Sequence, residues 1–581
     1  MGKKINILFF LIALSVFCNN FDINHIEKLN PVERSEIIYK IGEERDLKNI
    51  QILINFLKDD EKILWRNPET PWGFTVTTPG WEAAKGILKI GKEAVPFLID
   101  FIVKKEKGYE KAIWILGELK SDEVVPLILK IKPSSGDLQL ISIIVLGKIK
   151  DESSLPYLIS SLENYWNRIY AVEAIENFGK KAIPYLINAI ENKETKSIVK
   201  AYCCILISKI KEKENVEEKI SLDNFLKLLN DSDVQVRRKV SEAIINLNTR
   251  EYNKELINII KKENDWIVRS NLIEAIGKSK DKECAEQLIK FLDEKDITIK
   301  IKVCEAIGEI GDKEKGKDIL RVIKESDYWY LKKVAIETIG KIKDENSYRK
   351  IIETVREEKD LRVIASILFA GGEIGKEEFS DFIIPYISFK NSTVMKVSYN
   401  ALIKIGEKSL PYIIKYVNEN IEKLNWETIN LIRDLLSEIG KEKIEKLIEF
   451  LGNPNWKIQV LGVNLLTKIG EKALPFLHQA IENKMGSIKY RAIQTIGNIQ
   501  NEKSIEPLIN LIVEEKDINI KKEAINSLGK IKNKKSVEFL IDLLKEEGLK
   551  EFVLNTIEKM TNKFFGYDIE KWKEYIEKEW K

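Results

Sequence analysis

Apolar residues recur along this chain in short helical bursts that come in pairs. In the stretch DWIVRSNLIEAIGKSKDKECAEQLIKFLDEKD, from Asp265 to Asp296, the residues Ile267, Val268, Leu272, Ile273 and Ile276 share one helical face, and Leu288, Ile289 and Leu292 share another. Lys, Glu and Asp fill the positions between them, so the pattern predicts two short amphipathic helices. The following stretches, DITIKIKVCEAIGEIGDKEKGKDILRVIKESD and YWYLKKVAIETIGKIKDENSYRKIIETVREEKD, repeat it. The residue closing the first helix is Gly117, Gly147, Glu176, Ser208, Ile245, Gly277, Gly308, Gly340, Gly372, Ile403, Ser437, Thr467, Gly497 and Gly529 in turn, at steps of about 31 residues. That period is the mark of stacked repeats.

The boundaries carry matching chemistry. Gly near the end of a helix is expected to supply the left-handed conformation that stops it. Asp or Ser shortly after can cap the next helix, as in GKIKDESSLPYL from Gly147 to Leu158. Pro156, Pro184, Pro411, Pro475 and Pro507 fall in the first turn of the second helix, where a missing N–H costs nothing. Fixing a unit costs roughly 1–2 kcal/mol per residue in backbone entropy, whereas each buried apolar side chain returns roughly 1.5–3 kcal/mol. One helix pair therefore does not stand alone, and stacking on neighbours is what stabilises it. The expectation is an all-α protein, an α-solenoid of about fifteen helix pairs spanning residues 21–559 after an N-terminal signal segment.

Units reading A-I-G-x-I-x-D-x-x-x-x-P-x-L-I, followed by D-x-x-[VIW]-[RK]-x-x-[AV], resemble HEAT repeats, in particular the short bacterial type called PBS-lyase HEAT-like. The resemblance implies a superhelical, armadillo-like helical array. It implies much less about function, because scaffolds, lyase subunits and hydroxylases share the repeat.

Four segments depart from the period. MGKKINILFFLIALSVFCNN has Lys3 and Lys4 before an apolar run too short to span a bilayer, and residues 1–18 read as a signal peptide. Cys18 is then either the last residue removed or the lipid-modified residue of a lipoprotein, against which bulky Phe17 counts. Residues 59–82 hold Trp65, Trp72 and Trp81 with Pro68, Pro71 and Pro79, a proline spacing that predicts an irregular loop. The loop either covers the end of the stack or grips a partner. The unit around KIKEKENVEEKISLDNFL is overlong, so an irregularity is expected between Ser208 and Ile245. Residues 560–581 read as a capping segment, with Trp572, Tyr575, Ile576 and Trp580 along one helical face.

Composition narrows the chemistry. The 95 Lys plus Arg nearly balance the 92 Asp plus Glu, which speaks against nucleic acid as a partner. Only His25 and His478 are present, so no histidine cluster can build a metal site, and the iron-binding His-Glu pairs of the related deoxyhypusine hydroxylases are missing. No P-loop, nucleophile elbow or H-E-x-x-H pattern occurs, and no cofactor is expected. Two ladders recur instead. Asp233, Asp265 and Asp296, with Asp360 and Asp517, sit at the turn between repeats, and Arg237, Arg269 and Lys300 follow four residues after the first three. Each Asp is expected to cap its helix while each cation pairs with an Asp of the same or the adjacent repeat. Trp266, Trp329, Trp426 and Trp456 follow the turn, with Trp166 nearly in step. They either staple each helix start onto the neighbouring repeat or form a row that holds a peptide or a glycan. Cys203, Cys204 and Cys304 read as core residues, and a Cys284–Cys304 disulfide is geometrically open if the chain is exported.

The reading that joins these features is a non-catalytic scaffold, exported to the periplasm or cell envelope, that presents an α-solenoid surface to a protein or peptide. Membrane contact is expected only through an N-terminal lipid anchor. The alternatives are an enzyme or lyase subunit of the HEAT-like class, phycobilin-lyase-like, and then nucleic-acid or carbohydrate binding.

Overall fold

The computed structural model describes residues 23–66, 74–134, 136–216, 221–355 and 358–579. Two compact units appear, Met1–Ser279 and Lys280–Lys581. Within the first, the leading helices of successive pairs, among them Tyr109–Glu118, Gly136–Ile149, Arg168–Glu176 and Ser197–Glu214, each pack on the one before. The second unit is built in the same way from Ile297–Ile310, Trp329–Ile342, Leu361–Ile374 and Ser392–Ile405 onward to Lys550–Thr561. The predicted apolar faces are the core: Val268, Leu272, Ile273 and Ile276 are fully buried, as are Leu158, Leu186, Leu477 and Leu508 from second helices.

Local chemistry sets the helix starts. Asp265 accepts hydrogen bonds from the N–H groups of Ile267 and Val268, and Asp296, Asp360 and Asp517 cap their helices likewise. Asn391, Asn425 and Asn455 do the same where Asp is absent. Pro156, Pro184, Pro411 and Pro475 lie at the first or second position of their helices, as expected.

The repeated glycine does something other than end a helix. Gly147, Gly340 and Gly372 lie within their helices, and none has a positive φ. A Cβ on Gly147 would stand 2.7 Å from Ala174 Cβ, one on Gly340 2.6 Å from Ala370 Cα, and one on Gly372 2.7 Å from Ala401 Cα. The missing side chain lets the leading helix of the next repeat approach to backbone contact. The left-handed residue that stops these helices comes three residues later, as Lys150, Lys343 and Gly375.

The described parts of the segment 59–82, residues 59–66 and 74–82, carry regular structure. Ile63–Arg66 (β1) and Phe74–Thr77 (β2) pair antiparallel with Leu64 opposite Val76. A helix then starts at Pro79 with Thr78 as its cap, so this proline begins a helix, a position where it needs no N–H partner. The hairpin stems are clamped. Thr77 Oγ1 donates to Glu82 Oε1 at 2.8 Å, and the Lys111 ammonium, 2% exposed, meets Asp60 Oδ1 at 2.8 Å and Glu110 Oε1 at 2.9 Å. A two-stranded ribbon is marginal by itself, and these contacts hold it against the stack.

The overlong unit yields an 18-residue helix, Ser197–Glu214, stopped by Asn215 in the left-handed region. At the other end, Ile569–Lys578 packs on Lys534–Asp542 with Trp572 and Ile576 buried, and Tyr575 lies against Phe565. The signal segment with Cys18, together with Trp72 and Trp580 and the side chain of Trp65, lies outside the described residues. Cys284 and Cys304 are buried free thiols and form no disulfide. They stand on different repeats: Cys284 ends a short turn and donates to Asp281 Oδ2 at 3.2 Å, while Cys304 is in the leading helix of the next pair, where burial pushes its thiol up to about 12.

Candidate functional site

The charged ladder ties repeats together through glutamate rather than aspartate. Arg237 meets Glu263 at 2.8 and 3.1 Å, Lys489 meets Glu515 at 2.7 Å, and Lys332 lies 3.8 Å from Glu358. Each Glu stands two residues before the capping Asp of the next repeat and accepts the N–H of that Asp. Arg238, one position beyond the expected cation, is the residue that reaches Asp265, at 2.6 Å. Asp233 caps through the Gln235 N–H and Asp296 through Thr298, while Arg269 and Lys300 stand half-buried at the ladder positions.

The carboxylates of this ladder are acid-sensitive. The Lys489 ammonium, aided by two backbone N–H groups, holds Glu515 at about 2, and the Arg362 guanidinium holds Asp360 at about 2. Their unfolded values lie near 4, so each contributes stability that is fully present above about pH 5 and is lost as pH falls toward 2. Thermal melts from pH 6 to 2 are expected to show Tm falling less steeply for Glu515→Gln than for the wild type. Equal slopes would show that the ion pair adds nothing.

The aromatic row is neither buried between repeats nor free of them. Trp426 and Trp456, 48% and 57% exposed, meet with ring centroids 6.0 Å apart across adjacent repeats. Arg362 stacks 3.6 Å over half-buried Trp329, again from the following repeat. Trp266 is also about half exposed. Each ring thus presents one part to solvent. Trp81 is different: it begins the helix at Pro79 and packs edge-on against Trp114 at 5.4 Å, beside the Lys111 clamp.

The turn from Glu163 into the helix start at Tyr170 carries the most exposed rings among the described residues of the first unit. Trp166 is 82% exposed, Tyr165 74%, Ile169 70% and Tyr170 40%. Asn164 stands four residues before Arg168, as Asp265 does before Arg269, which makes Tyr165 the counterpart of Trp266 and puts Trp166 one position beyond. The period points to the Trp but gives no sign that its neighbours are exposed with it.

Hydrogen bonds fix this turn from behind. Buried Gln139 of the preceding repeat accepts from Asn164 Nδ2 at 2.7 Å and from Asn167 Nδ2 at 2.9 Å. Arg168 donates to the carbonyls of Leu162 and Glu163 at 2.6 and 3.0 Å, and its guanidinium lies over the rings of Tyr165 and Tyr202. Tyr165 packs edge-on against Trp166 at 5.5 Å. The apolar surface is therefore held in place without a ligand, which lowers the entropy a partner must overcome.

A cleft of about 370 Å³ adjoins the turn through Glu163. It runs between the second helices Leu155–Ser161 and Ile183–Glu191, with Ile159, Tyr185, Asn188, Glu194 and Lys196 in its walls. Among the described residues no group of three or more His, Cys, Asp or Glu side chains is placed to hold a metal ion.

A family model for HEAT repeats matches residues 222–296, 253–340 and 485–552. The fold is a HEAT-repeat α-solenoid. Comparison with curated proteins finds no match. Among solved structures, the crystal structure of Kap121p is similar at 10% identity and a TM-score of 0.50, covering 94% of this chain and 74% of that one. Kap121p bound to the extreme C-terminus of the protein phosphatase Cdc14p gives 11% identity and a TM-score of 0.49, covering 92% and 74%. Kap95p with RanGDP gives 11% and 0.47, covering 93% and 88%. At such identities the likeness is one of fold.

Proposed function

We propose that this protein is a non-catalytic scaffold of the short bacterial HEAT-like type, which binds a protein partner at the cell envelope through the aromatic corner at residues 165–170. The observation that carries the reading is the contrast at that corner. Tyr165 and Trp166 are the most exposed rings among the described residues of the unit, yet the backbone beneath them is pinned by the buried Gln139 and by Arg168. A contiguous apolar patch held rigid in water is the feature expected of an interaction site, and Trp and Tyr are the side chains that dominate such sites. The envelope setting rests on the apolar run from Ile7 to Phe17 after Lys3 and Lys4.

The test is crosslinking and affinity capture from an envelope fraction with the wild type, Trp166→Ala and Met485→Ala. Met485, 85% exposed on the second unit, serves as a control for general loss of apolar surface. Recovery of the captured partner is expected to fall about tenfold with Trp166→Ala, the loss typical of an interface anchor, and to hold with Met485→Ala. Equal recovery from all three removes the aromatic corner as the site. Mass spectrometry of the mature N-terminus tests the setting, since a chain beginning at Met1 in the soluble cytosolic fraction removes the envelope.

A further inference from the structure

We infer that the cleft beside the aromatic corner takes a basic side chain, Arg or Lys, from an extended partner segment whose apolar residues cover Tyr165 and Trp166. This inference rests on the protein-binding reading above and adds the chemistry of the partner.

Charge bookkeeping within the cleft leads to it. Three side chains that are charged at neutral pH line the space, Glu163, Glu194 and Lys196. The Lys196 ammonium is taken, since it pairs with Glu163 across the mouth of the cleft. Glu194 makes no ion pair among the described residues, while its own N–H is held by Asn192 Oδ1 at 3.0 Å, which fixes where this residue sits. The nearby cation on the corner, Arg168, is also committed, to two backbone carbonyls and two aromatic rings. Among the residues lining the cleft, one carboxylate is thus left over and no cation is free.

The remaining walls suit a basic side chain on a peptide. Exposed Pro156 offers apolar surface to the methylenes of an Arg or Lys stem, which such side chains bury while the charged head finds its partner. Asn188 offers a carboxamide that both donates and accepts, the complement of an extended backbone. The exposed rings of Tyr165 and Trp166 follow Glu163 in the chain and offer apolar faces next to the cleft. An acidic segment would meet the unpaired Glu194, and a purely apolar one would desolvate it without compensation.

The test uses the full-length protein and three fluorescein-labelled dodecapeptide pools, degenerate in Leu, Val and Ser, whose central residue is Arg, norleucine or Glu. Affinities are read by anisotropy for the wild type, Glu194→Gln, Glu194→Lys and Trp166→Ala, all exposed positions whose fold is checked by circular dichroism. The Arg pool is expected to bind the wild type about fivefold tighter than the norleucine pool, the size of an exposed ion pair, with the Glu pool weakest. Glu194→Gln should erase that preference and Glu194→Lys should invert it, while Trp166→Ala should weaken all pools together. If the pools bind equally and all depend on Trp166, the cleft assignment fails and the aromatic site stands. If binding ignores both residues, or no pool binds at millimolar concentration, both fail.

Discussion

A Gly340→Val protein is expected to lose about 3 kcal/mol of stability, at the upper end of what overpacking costs. The substituted residue lies within the helix Trp329–Ile342, and its Cβ alone would stand 2.6 Å from Ala370 Cα and 2.9 Å from Ala370 Cβ. Those atoms belong to the leading helix of the next repeat, so relief requires two helices to part. The comparison that gives the prediction force is Gly308→Ala. This glycine occupies the same place in its own repeat, yet its added Cβ would meet the flexible Lys341 side chain at 3.2 Å, with Thr338 Oγ1 at 3.6 Å and Thr338 Cα at 3.8 Å, both ordinary contact distances. The side chain can give way, and alanine is a better helix former than glycine by about 1 kcal/mol. Urea unfolding is expected to place Gly308→Ala at or slightly above the wild type and Gly340→Val well below it. If both variants are destabilised alike, the glycine acts through backbone conformation rather than close approach.

Trp572→Ala is expected to detach the last helix. The indole is fully buried, packs edge-on against Phe565 at 4.8 Å, and donates from Nε1 to the Gly566 carbonyl at 2.8 Å. Truncating a buried Trp costs roughly 3–5 kcal/mol, more than a ten-residue helix packed on one neighbour recovers by other contacts. Because a stack of repeats is held by nearest-neighbour contacts, the loss should stay local. Hydrogen exchange is therefore expected to show amides of Ile569–Lys578 unprotected, with partial loss over Lys534–Asp542 and no change over Trp329–Ile342. Trp572→Phe should retain most protection and lose only the part due to the hydrogen bond. Full protection in Trp572→Ala would mean that this helix is held by something other than the indole.

Much of the architecture was legible in the sequence because it follows from local rules. The spacing of Val268, Leu272 and Ile276 fixes a helical face whatever lies against it, and Asp265 caps its helix through N–H groups two and three residues away. The candidate site was harder to read. Trp166 was visible as a near member of an aromatic row, but Tyr165, Ile169 and Tyr170 gave no signal, since their exposure depends on how the turn is tied to Gln139, 25 and 28 residues before its two donors. The cleft was invisible for the same reason. Glu163, Asn188 and Glu194 line one space only once two second helices are stacked.

By itself the sequence determined the period, the helix pairs, their caps and the residues that face inward, because each depends on contacts within about one helical turn. Only the tertiary structure decided what the repeated glycine is for, that Arg237 meets Glu263 rather than an Asp, and that the segment after Asp60 pairs into a hairpin clamped by Lys111. It also decided that Trp426 and Trp456 touch each other while keeping half their surface in water. The physical reason is common to all of these. Each is settled by which surfaces meet far beyond one helical turn along the chain, and two glycines in the same motif, Gly308 and Gly340, differ in what the next helix brings against them.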